Sequence, residues 1–252
     1  MRPDRKIGEG LNAVAYEHKG RALKRYRTDY CPAYIMREAM VLSMLEPSGL
    51  PVPRLQNLSK IQDQWTLEMD LIEGRPAAFG MERHLEAFVD LQLRIHAVAV
   101  NDHMLLPNSK EICRLSIASH ARLDAETKRK LLQLLRSLPD GCQLCHNDYH
   151  GLNVIDSGGG LSVIDWASAT AGSPASDCCR TYAVTKIHHE AFAEPYLDLY
   201  CQKSGLSRDN ILIWLPVTSA EWLNRNPGIQ NPLFAQWLAI VNENSPVSGR
   251  DT

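Results

Sequence analysis

The sequence predicts an α+β protein of two parts: a small antiparallel sheet with one helix over residues 1–74, and a larger, mainly helical part over residues 75–252. Three observations predict this class. Short runs of alternating apolar and polar residues, separated by turn signals, fill the first part. Long segments with apolar residues at helical spacing dominate the second. Between the helical segments, a group of acids and amides at residues 146–165 forms a candidate reaction centre.

In the first part, Gly8 and Gly10 lie between two predicted strands, and a turn at residues 17–20 precedes a strand at residues 21–26. Glycines without a Cβ allow backbone N–H groups to approach phosphate oxygens, although they also suit a plain hairpin turn. Lys24 lies on the third strand. Fourteen residues later, Glu38 lies on a predicted helix that follows Pro32. We expect these two charges to pair.

The second part begins with predicted helices at residues 82–98 and 124–138, each with a buried apolar stripe. Further on, a run of three glycines at residues 158–160 separates two short β-branched runs and predicts a tight hairpin. That hairpin would bring Asn153 and Asp165 near one another.

The candidate reaction centre is the segment that contains His146, Asp148 and Asn153, followed by Asp165 at a strand end. An Asp after a short apolar run can accept the proton of an attacking hydroxyl. The Asn and the second Asp can hold magnesium on a nucleotide's phosphates. Loop residues selected for turn chemistry are the alternative. The pattern Cys142-x-x-Cys145-His146 also matches a haem attachment site, which the missing export signal disfavours.

These motifs, in this order, resemble the small-molecule kinases grouped with aminoglycoside phosphotransferases and choline kinases, over residues 4–240. The resemblance implies a protein-kinase-like bilobal fold with ATP or GTP and Mg²⁺ in the cleft between the lobes. It implies that Asp148 is the catalytic base, that Asn153 and Asp165 bind magnesium, and that His150 lies beside the transferred phosphate.

The resemblance also implies the nucleotide contacts. Gly8 and Gly10 would cover the phosphates, and Lys24, oriented by Glu38, would bind them. Backbone groups from Asp70 to Ile72 would bond the adenine.

Two further residues, Asp177 and Arg180, would brace the catalytic loop by the same resemblance. Two features depart from the family pattern: Asn147 replaces a Gly, and Gly151-Leu152 replaces Pro-Gly. From protein kinases the chain departs after Asp165, because no long activation loop follows Trp166.

The expected function is therefore O-phosphorylation of a small-molecule hydroxyl. An aminoglycoside or other antibiotic, as in antibiotic resistance, competes with a choline-like alcohol or a sugar. A nucleotide-binding pseudokinase scaffold is the alternative from another class. Residues 151–252 carry ten acids and six Lys or Arg, which favours a cationic acceptor. Its candidate ligands are acids on predicted helices: Glu190, Glu194, Asp198 and Glu221.

Composition excludes several classes of protein. A net charge of −2 without a basic stripe argues against a nucleic-acid partner. No apolar stretch approaches the roughly 20 residues of a membrane span, and no signal-peptide core follows the N-terminus. The seven cysteines are scattered, which predicts reduced thiols rather than a disulfide framework. We expect a cytoplasmic protein, and the sequence predicts no oligomeric state.

Overall fold

The computed structural model describes residues 5–100, 105–226, 228 and 230–243. The strands of this part of the chain are β1 (Arg5–Glu9), β2 (Ala13–His18), β3 (Arg21–Tyr26), β4 (Leu55–Ile61), β5 (Gln64–Asp70), β6 (Arg75–Pro76), β7 (Gln143–Cys145), β8 (Val154–Asp156), β9 (Leu161–Val163) and β10 (Thr170–Gly172). The helices are α1 (Pro32–Leu45), α2 (Met81–His96), α3 (Ser109–Ser119), α4 (Ala125–Ser137), α5 (Pro174–His188), α6 (Glu190–Ser204), α7 (Arg208–Leu212), α8 (Leu215–Arg225) and α9 (Pro232–Glu243).

The chain divides into two compact units, and the first comprises residues 5–98 and 148–169 of the described chain. Its main element is a five-stranded antiparallel sheet of order β1-β2-β3-β5-β4. Helix α1 packs on β4 and β5. It buries Ile35, Val41 and Leu42, because these positions fall on one face of the helix.

A second, three-stranded sheet of order β6-β8-β9 lies in the same unit. Strands β8 and β9 form the predicted hairpin, and the three glycines occupy its turn. Gly74 precedes β6 with a φ of +155°, and a Cβ there would lie 2.2 Å from the carbonyl oxygen of Asp156. Only glycine allows the two backbones to come this close. Gly74 therefore fixes how the chain enters the second sheet.

The second unit comprises residues 99–100, 105–147 and 170–243 of the described chain, and it is mainly helical. Asn108 caps α3 and Asp124 caps α4, each accepting a hydrogen bond from a backbone N–H of the first turn. Helix α3 packs on α4 and α8, while α5 packs on α6. The predicted stripe of α4 is buried at Leu131 and Leu135.

The tryptophans of the second unit, Trp214, Trp222 and Trp237, are buried and belong to its core. Among the described residues, no helix combines the length and the apolar character needed to cross a membrane. The first compact unit runs through residue 74 in sequence, and the predicted boundary there stays a prediction.

Candidate active site

Lys24 lies at the centre of a cluster of charged side chains within the first unit. It projects from β3, Glu38 from α1, and Asp165 from the segment after β9. The Lys24 Nζ lies 2.8 Å from each carboxylate oxygen of Glu38 and 2.9 Å from Oδ1 of Asp165. The ion pair between Lys24 and Glu38 that the sequence predicts is therefore present. Asp165, which is 141 residues from Lys24 in the chain, is its third contact.

The charges in this cluster depend on one another. Burial raises the pKa of the Glu38 carboxyl, and the Lys24 ammonium opposes that shift. Burial alone would lower the pKa of Lys24, but the nearby Glu38 and Asp165 outweigh it and raise that pKa. Lys24 is therefore held as a cation. A compact ammonium in this position suits the phosphate oxygens of a nucleotide.

One contact of the cluster, made by Tyr26, was missed by the sequence reasoning. The Tyr26 hydroxyl donates a hydrogen bond of 2.6 Å to Oε2 of Glu38. Tyr26 lies two residues after Lys24 on the same strand, so both side chains project from one face of the sheet. This period of two along β3 is the sequence signal that places Tyr26 beside Lys24.

Asp148, Asn153 and His150 lie together in the segment that precedes β8. The Asn153 Nδ2 donates to the backbone oxygen of Asp148 at 2.9 Å and to its Oδ2 at 3.1 Å. His150 Nε2 lies 3.6 Å from Oδ1 of Asp148 and 3.3 Å from Nδ2 of Asn153. The Asp148 carboxylate is 36% exposed, which leaves it accessible to an incoming hydroxyl.

The hairpin of β8 and β9 brings the two predicted magnesium ligands to the same end. The backbone N–H of Ile164 donates to the carbonyl of Asn153 at 2.9 Å, one residue before Asp165. Asp165 itself has a left-handed backbone, with φ of 65°. Its side chain is 41% exposed.

These two side chains fit a hard cation. One carboxylate oxygen of Asp165 contacts Lys24, and the amide nitrogen of Asn153 is turned toward Asp148. Within the described part of the chain, no group donates to Oδ1 of Asn153 or to Oδ2 of Asp165. Amide and carboxylate oxygens are the ligands that Mg²⁺ prefers.

Tyr149 anchors the segment that carries Asp148. Its side chain is 1% exposed, its hydroxyl donates to the carbonyl of Phe88 at 2.7 Å, and the two rings lie 4.4 Å apart. Phe88 belongs to α2, so the segment is fixed to a long helix of the first unit. Anchoring of this kind preorganises the side chain next to it.

The Gly-to-Asn departure at residue 147 is compatible with the backbone found there, which has φ of 57°. Asn tolerates the left-handed region better than most other residues. Its Nδ2 donates to Oγ1 of Thr170 at 2.6 Å, a contact that the sequence did not reveal. Asp177, which is fully buried, accepts from the backbone N–H of His146 at 3.0 Å and of Asn147 at 2.7 Å.

The resemblance assigned a bracing role to Asp177 and Arg180 together, but their contacts differ. Asp177 bonds the backbone just before Asp148, as a brace requires. Arg180 forms an ion pair with the buried carboxylate of Glu221, which also contacts Arg225 at 3.3 Å. Glu221 is therefore an ion-pair partner of two arginines, and its role as an acceptor ligand stays a prediction.

The second departure, at Gly151, has a steric reason. A Cβ at this residue would lie 2.8 Å from Cα and 2.9 Å from N of Ala78. The Ala78 N–H also donates to the Gly151 carbonyl at 2.9 Å. The two backbones are thus in contact, and a proline at residue 151 would collide with the same atoms.

Gly8 and Gly10 lie where the sequence predicts, on β1 and in the turn before β2. The N–H of Gly10 donates to the carbonyl of Ala13 at 2.9 Å and closes the turn. A Cβ on either glycine would meet its nearest atom at 3.8 Å. The turn itself therefore tolerates a side chain, and the need for glycine at a phosphate stays a prediction.

The predicted adenine contacts lie at the end of β5. The Asp70 carboxylate accepts a hydrogen bond from Gln56 at 2.9 Å and pairs with Arg21, and the backbone N–H of Asp70 donates to the carbonyl of Arg54 at 3.0 Å. Asp70 thus has its side chain and its N–H engaged within the sheet. Ile72 follows the strand and is partly buried. The adenine-binding role of Asp70 and Ile72 stays a prediction.

The candidate acceptor acids on α6 are partly neutralised within the second unit. Arg208 contacts Glu194 at 2.6 Å and also pairs with Asp198. Lys186 lies 3.3 Å from Glu194 and 3.4 Å from Glu190. These carboxylates therefore share two cations, which reduces the negative charge they present to a ligand.

Comparison with known proteins identifies the family. A sequence model of the phosphotransferase enzyme family matches residues 5–211. A search of curated proteins found no match.

Solved structures share the fold. A thermostable mutant of aminoglycoside phosphotransferase APH(4)-Ia, in complex with ADP and hygromycin B, is 15% identical, with a TM-score of 0.70 and coverage of 98% of this chain and 95% of that chain. A choline/ethanolamine kinase family protein from Mesorhizobium loti is 17% identical, with a TM-score of 0.66 and coverage of 97% and 89%. Aminoglycoside phosphotransferase APH(3'')-Id from Streptomyces rimosus is 18% identical, with a TM-score of 0.63 and coverage of 86% and 92%.

These likenesses confirm the protein-kinase-like α+β fold, with its small antiparallel sheet and mainly helical part. Because the family match covers most of the sequence, the chain belongs to the phosphotransferase enzyme family, whose members are kinases that transfer phosphate to hydroxyl groups of small molecules.

Proposed function

We propose that this protein uses Mg²⁺ with ATP or GTP to phosphorylate a hydroxyl group of a small molecule, and that Asp148 is the general base. The observation that carries the proposal is the convergence of Lys24, Glu38 and Asp165 in one cluster. The same compact unit also holds the Asp148–Asn153 segment. Phosphoryl transfer needs a fixed cation for the phosphates, oxygen ligands for magnesium and a base for the hydroxyl. These residues supply all three.

In the proposed reaction, the acceptor oxygen attacks the γ-phosphorus, and the bond from that phosphorus to the β,γ-bridging oxygen breaks. The proton of the hydroxyl passes to the Asp148 carboxylate, and the nucleoside diphosphate leaves. Lys24 orients the phosphate chain, and His150 lies close enough to Asp148 to steer the transferred group. Magnesium on Asn153 and Asp165 would neutralise phosphate charge when bound. Most of the catalysis then comes from positioning and electrostatic stabilisation.

The acceptor class is part of the proposal. Structural neighbours include a complex with hygromycin B and a choline/ethanolamine kinase family protein, so both amino sugars and amino alcohols are candidates. An aminoglycoside would make the activity one of antibiotic resistance. The excess of acids in residues 151–252 supports a cationic acceptor. Because Arg208 and Lys186 neutralise part of α6, the support comes from the overall charge rather than from those acids alone.

We place the reaction in the cytoplasm, where nucleotide and reduced thiols coexist. All seven cysteines are free in the structure, which is consistent with this compartment.

The test is magnesium-dependent release of ADP and GDP by the purified protein, measured against a panel of aminoglycosides, other hydroxylated antibiotics, amino alcohols and sugars. Turnover on one acceptor that is lost in Asp148→Asn would establish the reaction and the acceptor class together. Asp209→Asn, an exposed carboxylate on α7, is the matched control and should retain activity. Nucleotide binding without turnover on any acceptor would favour the pseudokinase scaffold.

A further inference from the structure

Tyr26 makes contact with both partners of the ion pair at the candidate active site. Its hydroxyl donates a hydrogen bond of 2.6 Å to Oε2 of Glu38, and its ring centroid lies 5.5 Å from Nζ of Lys24. The side chain is 1% exposed, so neither contact competes with bulk water. A single tyrosine therefore contacts the carboxylate through its hydroxyl and the ammonium through its ring face.

The carboxylate of Glu38 needs this third hydrogen bond. Its side chain is 2% exposed, and a buried carboxylate is stable only when its oxygens accept hydrogen bonds. Lys24 supplies one ammonium to both oxygens, and Tyr26 supplies a second donor to Oε2 alone. Because the tyrosine bonds one oxygen, it also fixes the rotation of the carboxylate plane.

The ring of Tyr26 is itself held in place. It stacks on Tyr30 with centroids 5.7 Å apart and ring planes 4° from parallel. On the neighbouring strand, Ala13 lies opposite Tyr26 and Ala15 opposite Lys24. The short side chains of the two alanines leave room on this face of the sheet for the larger side chains of Tyr26 and Lys24. The hydroxyl thus has a defined direction, toward Glu38.

We propose that Tyr26 is a positioning residue, which fixes Lys24 through Glu38 so that the ammonium is aligned with the phosphates of the nucleotide. This inference rests on the proposed function, because it needs Lys24 to be a phosphate ligand. The lysine stem is flexible, and a point charge on it acts in catalysis only where other groups hold it. Tyr26 touches neither nucleotide nor acceptor in this proposal, and acts only through the ion pair.

The test compares the binding of Mg·ATP and of adenosine to the unaltered protein and to Tyr26→Phe, by isothermal titration calorimetry. Phenylalanine keeps the ring and its stacking but removes the hydroxyl. We expect the affinity for Mg·ATP to fall about three- to tenfold, because only part of the free energy of a hydrogen bond to a charged group would reach the nucleotide through Glu38 and Lys24. Adenosine has no phosphate for Lys24 to contact, so its affinity should not change.

Tyr196→Phe is the matched control for the loss of a buried hydroxyl. Tyr196 is fully buried in the second unit, and its hydroxyl donates to Sγ of Cys178 at 3.3 Å. This variant should bind Mg·ATP as the unaltered protein does, even if its melting temperature falls. Should Tyr26→Phe fail to fold, Tyr26→Met serves as the second variant, because the flexible methionine fills an irregular space.

A double-mutant cycle with Glu38→Gln shows whether the tyrosine acts through that residue. If it does, adding Tyr26→Phe to Glu38→Gln changes the affinity for Mg·ATP by less than about twofold. Three results would overturn the inference. Tyr26→Phe binds Mg·ATP as tightly as the unaltered protein does, or it loses as much affinity for adenosine as for Mg·ATP. The third is that Tyr26→Phe lowers the affinity for Mg·ATP as much in the Glu38→Gln background as it does alone. If the unaltered protein binds Mg·GTP rather than Mg·ATP, the same comparison is made with Mg·GTP and guanosine. Binding of neither nucleotide by the unaltered protein would instead overturn the proposed function.

Discussion

Replacing Lys24 by methionine would leave the Glu38 carboxylate buried without its counter-ion. Glu38 is 2% exposed, and among the described residues it would keep only the hydrogen bond from Tyr26. Removing one partner of a buried ion pair costs about 3–5 kcal/mol. The contact with Asp165 adds little, because that side chain is 41% exposed and solvent screens it. We therefore expect Lys24→Met to lower the free energy of unfolding by about 3–4 kcal/mol at neutral to alkaline pH.

This loss should depend on pH in a defined direction. Burial raises the pKa of Glu38, and Lys24 is the largest influence that opposes the shift. In Lys24→Met the folded protein therefore takes up a proton on Glu38 more readily than the unfolded chain does. A group of this kind stabilises the folded state at low pH and loses that contribution as the pH rises through its folded pKa. The deficit of the variant should shrink as the pH falls.

The assay is urea denaturation at about pH 8 and about pH 5.5 for the unaltered protein, Lys24→Met, Glu38→Gln and the double variant. The double variant should be more stable than Lys24→Met at the higher pH, because it buries no lone charge. Its difference from Glu38→Gln should be the same at both pH values. An equal deficit of Lys24→Met at the two pH values, or additive effects of the two substitutions, would refute the reasoning.

Three further outcomes are expected. Gly74→Ala should destabilise the protein by about 3 kcal/mol or more, because the new Cβ would collide with the β8 backbone. Gly158→Ala, at φ +80° in open space, is the control and should cost about 1–2 kcal/mol. Equal shifts in the melting temperatures of the two variants would contradict this. Asp177→Asn should lower turnover at least about tenfold with a smaller change in the nucleotide KM, because it weakens the bonds to the two amides before Asp148; steady-state kinetics decide. Burial, with nearby Arg122, lowers the pKa of His120, so stability should fall as the pH drops below about 6.5. In His120→Gln the melting temperature should lose this dependence.

The elements of the fold were predictable where one periodicity dominates a segment. Alternation at residues 21–26 gave β3, and the apolar stripe at residues 124–138 gave α4. The pairing of Lys24 with Glu38 followed from placing a strand and a helix in order. The hairpin of β8 and β9 followed from three consecutive glycines. The strand, the helix and the hairpin are determined by residues close together in the chain. The ion pair could be predicted because the order of its strand and helix along the chain is that of the resembling family.

Long-range contacts were less accessible. The contact of Lys24 with Asp165 spans 141 residues, and the bond between Asn147 and Thr170 depends on how two loops meet. Nor does sequence show that Arg208 already holds two of the acids on α6. Ion pairing between surface helices leaves no periodic signature, since Asp, Glu, Lys and Arg occupy exposed positions for solubility as well.

The two departures in the catalytic loop show how a motif survives a change of residue. At residue 147 the backbone is left-handed, so glycine and asparagine are the residues that occupy it at least cost, and asparagine adds a bond to Thr170. At residue 151 the backbone touches Ala78, so the proline of the common pattern does not fit. The first change retains a conformation that glycine adopts, and the second accompanies the close approach of residue 151 to Ala78. A departure from a motif is therefore best judged by the φ angle and the free space at that residue, which here leave Asp148 and Asn153 hydrogen-bonded to each other.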